Sequence, residues 1–251
     1  MNSISQNAFP HEALCEEVPT IPVRQFGSRI ARGVALDARF LRSAMATGSS
    51  GGALYLVPVQ EAAADFPLVE GFRPRYGTAG FRGSAEHFTP VAFRAGVVAA
   101  LRSYATGGDC GLVITASHNP PSDNGVKFVD FNGEMIPAEW EVYAEEIVNA
   151  ATPEALVKAC ESICERESIR RVQRADSEGL QVFVGHDSRP SSPELLKAAT
   201  RAIKAMQLEV AFEAGEQTTP QVHFISTRVS ERVTGGHSSR YITGCGGGIR
   251  E

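Results

Sequence analysis

Apolar residues in this chain fall into short runs broken by Gly, Pro and Asn, and the runs alternate between two periods. Val91, Ala95, Val98 and Leu101 recur at helical spacing behind Thr89-Pro90, an N-cap followed by a first-position proline. Gly107-Gly108 closes that helix. A strand is predicted over residues 110–115, where the apolar run starts at Gly111. A second β-prone run covers residues 126–129, and Asn124-Gly125 before it is a tight-turn signal, because that pair supplies positive φ values. Residues 138–150 and 152–169 read as two helices divided at Thr152-Pro153, with Glu, Arg and Lys on solvated faces. Residues 180–185 alternate and stop at Gly185, as a strand does. Ser192-Pro193-Glu194 opens a helix with Leu195, Ala198, Ala199, Ala202 and Ala205 along one side, and residues 208–212 form a further strand. Ahead of all of these, residues 53–59 read as a β-like run.

Strands alternating with helices predict an α/β fold. Residues 53–215 form a layered α/β/α domain with a mainly parallel, mixed sheet, and the Asn124-Gly125 hairpin adds an antiparallel edge. Arg82, Ser117 and Asp187 then fall on connecting loops, where α/β sheets place ligands. Residues 1–52 lack a periodic apolar face and read as a disordered extension; residues 216–251 read as the start of a next domain with an irregular tail. Within the extension, Gly48-Ser49-Ser50-Gly51-Gly52 matches a nucleophile elbow in letters only. It is a Ser/Gly tract that runs into the β-like stretch at 53–59, whereas the elbow needs a strand before it and a helix after it.

Composition narrows the class. The chain has 251 residues, 43% of them hydrophobic, and a net charge of −5, which gives no reason to expect nucleic-acid binding. No run reaches the length of a membrane span. The five cysteines are odd in number and lack a Cys-x-x-Cys pair; Cys160 and Cys164 sit four apart on a predicted helix. This usage fits a reducing, cytoplasmic setting. Arg24, Arg29, Arg32, Arg39 and Arg42 leave an organellar address open, against which Glu12, Glu16 and Glu17 argue.

The densest chemistry lies between the two central runs. Ser117 follows the first strand, His118 and Asn119 stand beside it, Pro120 and Pro121 stiffen the loop, and Lys127 returns ten positions later. On spacing alone this reads first as a turn whose Ser and Asn bond local backbone. The wording changes that reading. Thr115-Ala116-Ser117-His118-Asn119-Pro120, with the Asn124-Gly125-Val126-Lys127 downstream, resembles the active-site serine loop of the α-D-phosphohexomutases. Residues 130–136 are similar to the eukaryotic phosphoacetylglucosamine mutase branch of that family. Tyr76-Gly77-Thr78-Ala79-Gly80-Phe81-Arg82, Gly185-His186-Asp187-Ser188-Arg189-Pro190-Ser191-Ser192 and Thr218-Thr219-Pro220-Gln221 resemble three further family elements in the same order.

The resemblance implies a phosphoserine enzyme that interconverts N-acetylglucosamine 6-phosphate and 1-phosphate with Mg²⁺, in amino-sugar nucleotide (UDP-N-acetylglucosamine) synthesis. Ser117 matches the phosphoryl carrier and would offer its phosphate to the metal. Lys127 matches an acid/base or phosphate contact. His118 would orient the loop or move protons, and Arg82 would face phosphate. Asp187 and Arg189 would brace the loop as an ion pair. The family's metal loop, Asp-x-Asp-x-Asp-Arg, has no counterpart: the chain holds seven Asp, and no two are spaced by one residue. Its later sugar-contact and phosphate-binding loops are absent too. The match thus covers the first family domain, and the polypeptide alone is expected to be inactive. A phosphoglucomutase or phosphomannomutase fragment and a non-catalytic phosphosugar-binding domain are the alternatives.

Overall fold

The computed structural model describes residues 56–169 and 180–233. The extension expected over residues 1–52, the glycine-serine decoy and the tail beyond residue 233 lie outside the described residues. Twelve segments follow in order, one of them a 3₁₀ turn at Ala85–His87. They are α1 (Val57–Ala63), β1 (Phe81–Ser84), α2 (Thr89–Thr106), β2 (Cys110–Ile114), β3 (Asp123–Val129), α3 (Ala138–Val148), α4 (Pro153–Arg166), β4 (Gln181–His186), α5 (Ser192–Ala205), β5 (Glu209–Glu216) and α6 (Thr219–Val233).

The five strands form one mixed sheet in the order β1-β3-β2-β4-β5. β3 runs antiparallel to β1 and β2, while β2, β4 and β5 are parallel, so only β3 is reversed. Alternation along the strands sorts the side chains into two layers. Leu112, Ile114, Val126, Phe128, Val182 and Val184 join the main core, to which α1 to α5 contribute. Val113 and Val129 face the other way and meet Val222 of α6. The expected α/β/α layering is therefore present.

Local signals explain most element ends. Thr152 caps α4, its side chain accepting from the Ala155 amide, with Pro153 behind it. Gly107 ends α2 in the left-handed region, φ 66°, and its amide bonds Ser103 O. Residues 90–101 of α2 are buried all round, because the sheet, α3 and α5 enclose the helix.

Four expectations need correction. The described part of the run at 53–59 is not β-like: residues 57–59 are helical, and Pro58 near the helix start opens α1. Phe88, not Thr89, is the N-cap of α2. Asn124-Gly125 does not turn the chain but lies inside β3, paired with β1, and β1 rather than the β2–β3 pair forms the sheet edge. Finally, α6 falls in the segment expected to start a next domain at residue 216. It packs instead on β2, β3 and β4 and completes the second helical layer.

Candidate active site

The cleft opens at the carboxyl ends of β2, β4 and β5, on the face covered by α6. β2 is the middle strand, so the loop after it hangs over the centre of the sheet. That loop, residues 115–122, carries Ser117 and His118, both exposed. Lys127 pairs across from Val113, whose side chain meets α6, so register alone turns Lys127 to the same face. Arg82 pairs with Gly125 and lies in β1 itself, rather than on a loop. These groups line a cavity of about 760 Å³, completed by Thr78, Asp187 and residues 216–221. Ser117, His118, Lys127 and Arg82, singled out from the sequence, thus share one cavity.

The strands around β3 approach closely at Gly125. A Cβ there would lie 2.6 Å from both Phe81 O and Thr115 O, so only glycine fits. Asn124 beside it is fully buried; its Nδ2 donates to Ser191 Oγ (2.8 Å) and Ser192 Oγ (3.1 Å) at the start of α5. The turn preceding β1 is held by Tyr76, whose hydroxyl accepts from the Phe128 amide at 3.2 Å. Gly80 N–H closes that turn on Gly77 O at 2.7 Å, which sets Thr78 and Ala79 at the cleft.

Asp187 and Arg189 brace the serine loop, and both are saturated. Asp187 Oδ2 accepts from Thr115 Oγ1 (2.9 Å) and Arg189 Nε (3.1 Å). Its Oδ1 accepts from Ser192 Oγ (2.7 Å) and the Arg189 amide (3.2 Å). Burial alone would raise this carboxyl's pKa. The bonds from Ser192, Thr115 and the Arg189 amide, with the Arg189 charge, outweigh burial and hold it below the ordinary carboxylate range. Arg189 donates to the carbonyls of Pro120 (2.6 Å), Asp123 (3.0 Å), Asn119 (2.9 Å) and Ala116.

The groups facing the cleft are, by contrast, open. Among the described residues Ser117 Oγ, the His118 ring and Lys127 Nζ have no hydrogen-bond partner. Arg82 gives Nη1 to Asn119 Oδ1 (2.7 Å) and Nε to Ala79 O (3.4 Å), and its Nη2 stays uncommitted among those residues. Asp187 is balanced by Arg189. Arg82 and Lys127 therefore face only Glu216 as an opposing charge on the wall, a balance that suits a phosphate dianion.

The expected Mg²⁺ finds too few ligands. Among the described residues no three His, Cys, Asp or Glu converge on a point. The carboxylate beside the serine loop, Asp187, has both oxygens filled. Mg²⁺ needs a near-octahedral set of oxygens, and these residues do not supply it. Glu216 and Gln217 were not singled out from the sequence, although they line the cleft. The approach to α6 held a readable signal: Gln221 Oε1 accepts from the Thr218 amide (2.7 Å) and hydroxyl (2.9 Å), a Thr-x-x-Gln cap.

Comparison with known proteins names the frame. The model of the phosphoglucomutase/phosphomannomutase α/β/α domain I matches residues 94–156 and 151–236. The chain belongs to this family. Over 161 residues it is 42% identical to a phosphoacetylglucosamine mutase of Arabidopsis thaliana, covering 64% of this chain and 29% of the relative. A crystal structure of an apo N-acetylglucosamine-phosphate mutase of the α-D-phosphohexomutase superfamily matches with a TM-score of 0.63 and 34% identity, over 70% of this chain and 38% of that one. An Aspergillus fumigatus N-acetylphosphoglucosamine mutase, solved with GlcNAc-6P and magnesium, matches with a TM-score of 0.62 and 32% identity, over 72% of this chain and 32% of that one. This phosphohexomutase domain thus spans less than a third of the Arabidopsis relative. Among the described residues no helix is long and apolar enough to cross a membrane.

Proposed function

We propose that this domain carries a phosphoryl group on Ser117 for the interconversion of N-acetylglucosamine 6-phosphate and 1-phosphate. The observation that carries the reading is an exposed Ser117 hydroxyl on a braced loop, facing the same cavity as Lys127 and Arg82. In the forward step a phosphoserine gives its phosphoryl group to a sugar hydroxyl. The P–Oγ bond breaks, a P–O(sugar) bond forms, and the hydroxyl proton passes to a base and returns to Ser117 Oγ. The bisphosphate so formed then rephosphorylates Ser117 from its other end.

Lys127 and Arg82 hold the phosphoryl oxygens, whose charge spreads in a loose transition state. His118 stands free beside Ser117 and is assigned the proton transfer. The sugar's non-reacting phosphate needs cationic holders besides these, so the 251-residue polypeptide is not expected to turn over alone. Amino-sugar specificity rests on the relatives' names and belongs to the same proposal.

The test follows N-acetylglucosamine 6-phosphate by phosphorus NMR, with Mg²⁺ and a hexosamine bisphosphate primer. The expected result is no sustained turnover by the chain alone. Turnover should appear when the chain is joined to the remainder of a full-length relative, and Ser117→Ala should abolish it. Activity that survives Ser117→Ala would overturn the reading.

A further inference from the structure

A guanidinium has five N–H donors in a fixed fork. In Arg189 one reaches Asp187 and the other four reach carbonyls of Ala116, Asn119 and Pro120 in the serine loop and of Asp123 at the start of β3. The side chain is only 12% exposed. No donor is left for a substrate, so Arg189 acts through the loop or not at all.

The effect on the loop is directional. Each carbonyl is the negative end of a peptide dipole, and four of them are turned onto one cation. Among the described residues the amides of Ser117 and His118 donate to no protein acceptor, while the Asn119 amide closes on Ala116 O at 2.7 Å. The Ser117–His118 segment that enters the cleft thus keeps its amides free, while the carbonyls flanking it, of Ala116, Asn119, Pro120 and Asp123, are drawn to Arg189. Loops that must meet an anion need that division, since an inward carbonyl would repel phosphoryl oxygens.

We propose that Arg189 is a positioning residue for phosphoryl transfer at Ser117. It presets the loop so that Ser117 Oγ and the free amides face the incoming phosphoryl group, and its charge offsets the gathered carbonyls. This rests on Ser117 being the carrier. Lysine cannot replace it in full, because an ammonium is a point donor with three protons and lacks the planar fork.

The test reads the half-reaction in the full chain. N-acetylglucosamine 1,6-bisphosphate gives one phosphoryl group to Ser117: the P–O(sugar) bond breaks, the P–Oγ bond forms, and the serine proton ends on the released sugar hydroxyl. Peptide mass spectrometry follows labelling against bisphosphate concentration for wild type, Arg189→Ala and Arg189→Lys, with thermal unfolding in parallel. Misplacing the reacting atom by about 1 Å costs roughly 100-fold in rate. Arg189→Ala should therefore label roughly 100-fold more slowly at saturation, with half-saturation little changed, and Arg189→Lys should recover part of the rate. Wild-type labelling rates in Arg189→Ala, or a loss confined to half-saturation, would overturn the proposal. If Arg189→Ala does not fold, Arg189→Lys decides: wild-type labelling by a folded lysine variant overturns it, and slowed labelling supports it. An unlabelled wild-type chain would sink the phosphoserine reading itself, and this proposal with it.

Discussion

Gly125→Ala tests whether close backbone approach, rather than turn formation, is what this glycine serves. Gly125 has no positive φ, so the substitution carries no left-handed strain. The added Cβ would lie 2.6 Å from Phe81 O on one side and 2.6 Å from Thr115 O on the other. A comfortable C···O contact is about 3.3 Å, so each neighbour must retreat by roughly 0.7 Å. Neither can do so freely, because the Thr115 amide donates to Gly125 O at 2.9 Å and Phe81 pairs with Val126. Overpacking of this kind costs about 1–3 kcal/mol, and a two-sided backbone clash belongs at the upper end. Reduced unfolded-state freedom returns about 0.4–1 kcal/mol, leaving a net loss of about 2 kcal/mol. For a body of this size that lowers the thermal midpoint by about 4–8 °C.

Gly107→Ala is the control. Its φ is 66° and nothing lies within 4 Å of the added carbon. Only the left-handed penalty of about 1–2 kcal/mol applies, partly offset by the same entropic return. Circular dichroism melting compares the two variants, and amide exchange at Thr115 should quicken only in Gly125→Ala. A Gly125→Ala protein as stable as wild type, or no less stable than Gly107→Ala, would refute the close-approach argument.

Two further outcomes are expected. Asp187 has a depressed pKa in the fold, so its stabilisation is full above the ordinary carboxylate range and is lost as pH falls through the lower folded value. The gap in thermal midpoint between wild type and Asp187→Asn should therefore close below about pH 4, and a gap constant to pH 2 would contradict this. Burial pushes the Cys110 thiol up to about 12 and the Cys164 thiol up to about 11, and raises Cys160 as well. Iodoacetamide at pH 8 should label these three slowly in the folded chain and fast in urea, as read by mass spectrometry; equal rates would be incompatible with their burial.

The layered fold was largely legible because its signals are local. Thr152-Pro153 capped α4 as read, Gly107 closed α2, and the run before Ser117 proved to be the central strand. The misreadings have tertiary causes. Asn124-Gly125 carries the letters of a turn, but Asn124 is set by Ser191 and Ser192, 67 and 68 positions away, and Gly125 by the two neighbouring strands. No window around residue 124 contains that information. In the site, Lys127 was placed by its distance from Ser117, yet what turns it into the cleft is its register against Val113. The saturation of Arg189 was invisible, since four of its acceptors are backbone carbonyls with no side-chain identity. Glu216 could have been found by extending the strand read at 208–212 to its carboxyl end, where β5 stops.

The most direct measurement maps the phosphoryl group. The folded chain is incubated with N-acetylglucosamine 1,6-bisphosphate and Mg²⁺, digested, and sequenced by mass spectrometry. One phosphoryl group on Ser117, absent from Ser117→Ala and slowed by Lys127→Ala, is the predicted result. Label on another residue, or none on a folded chain, would contradict the assignment of this cleft to phosphoryl transfer.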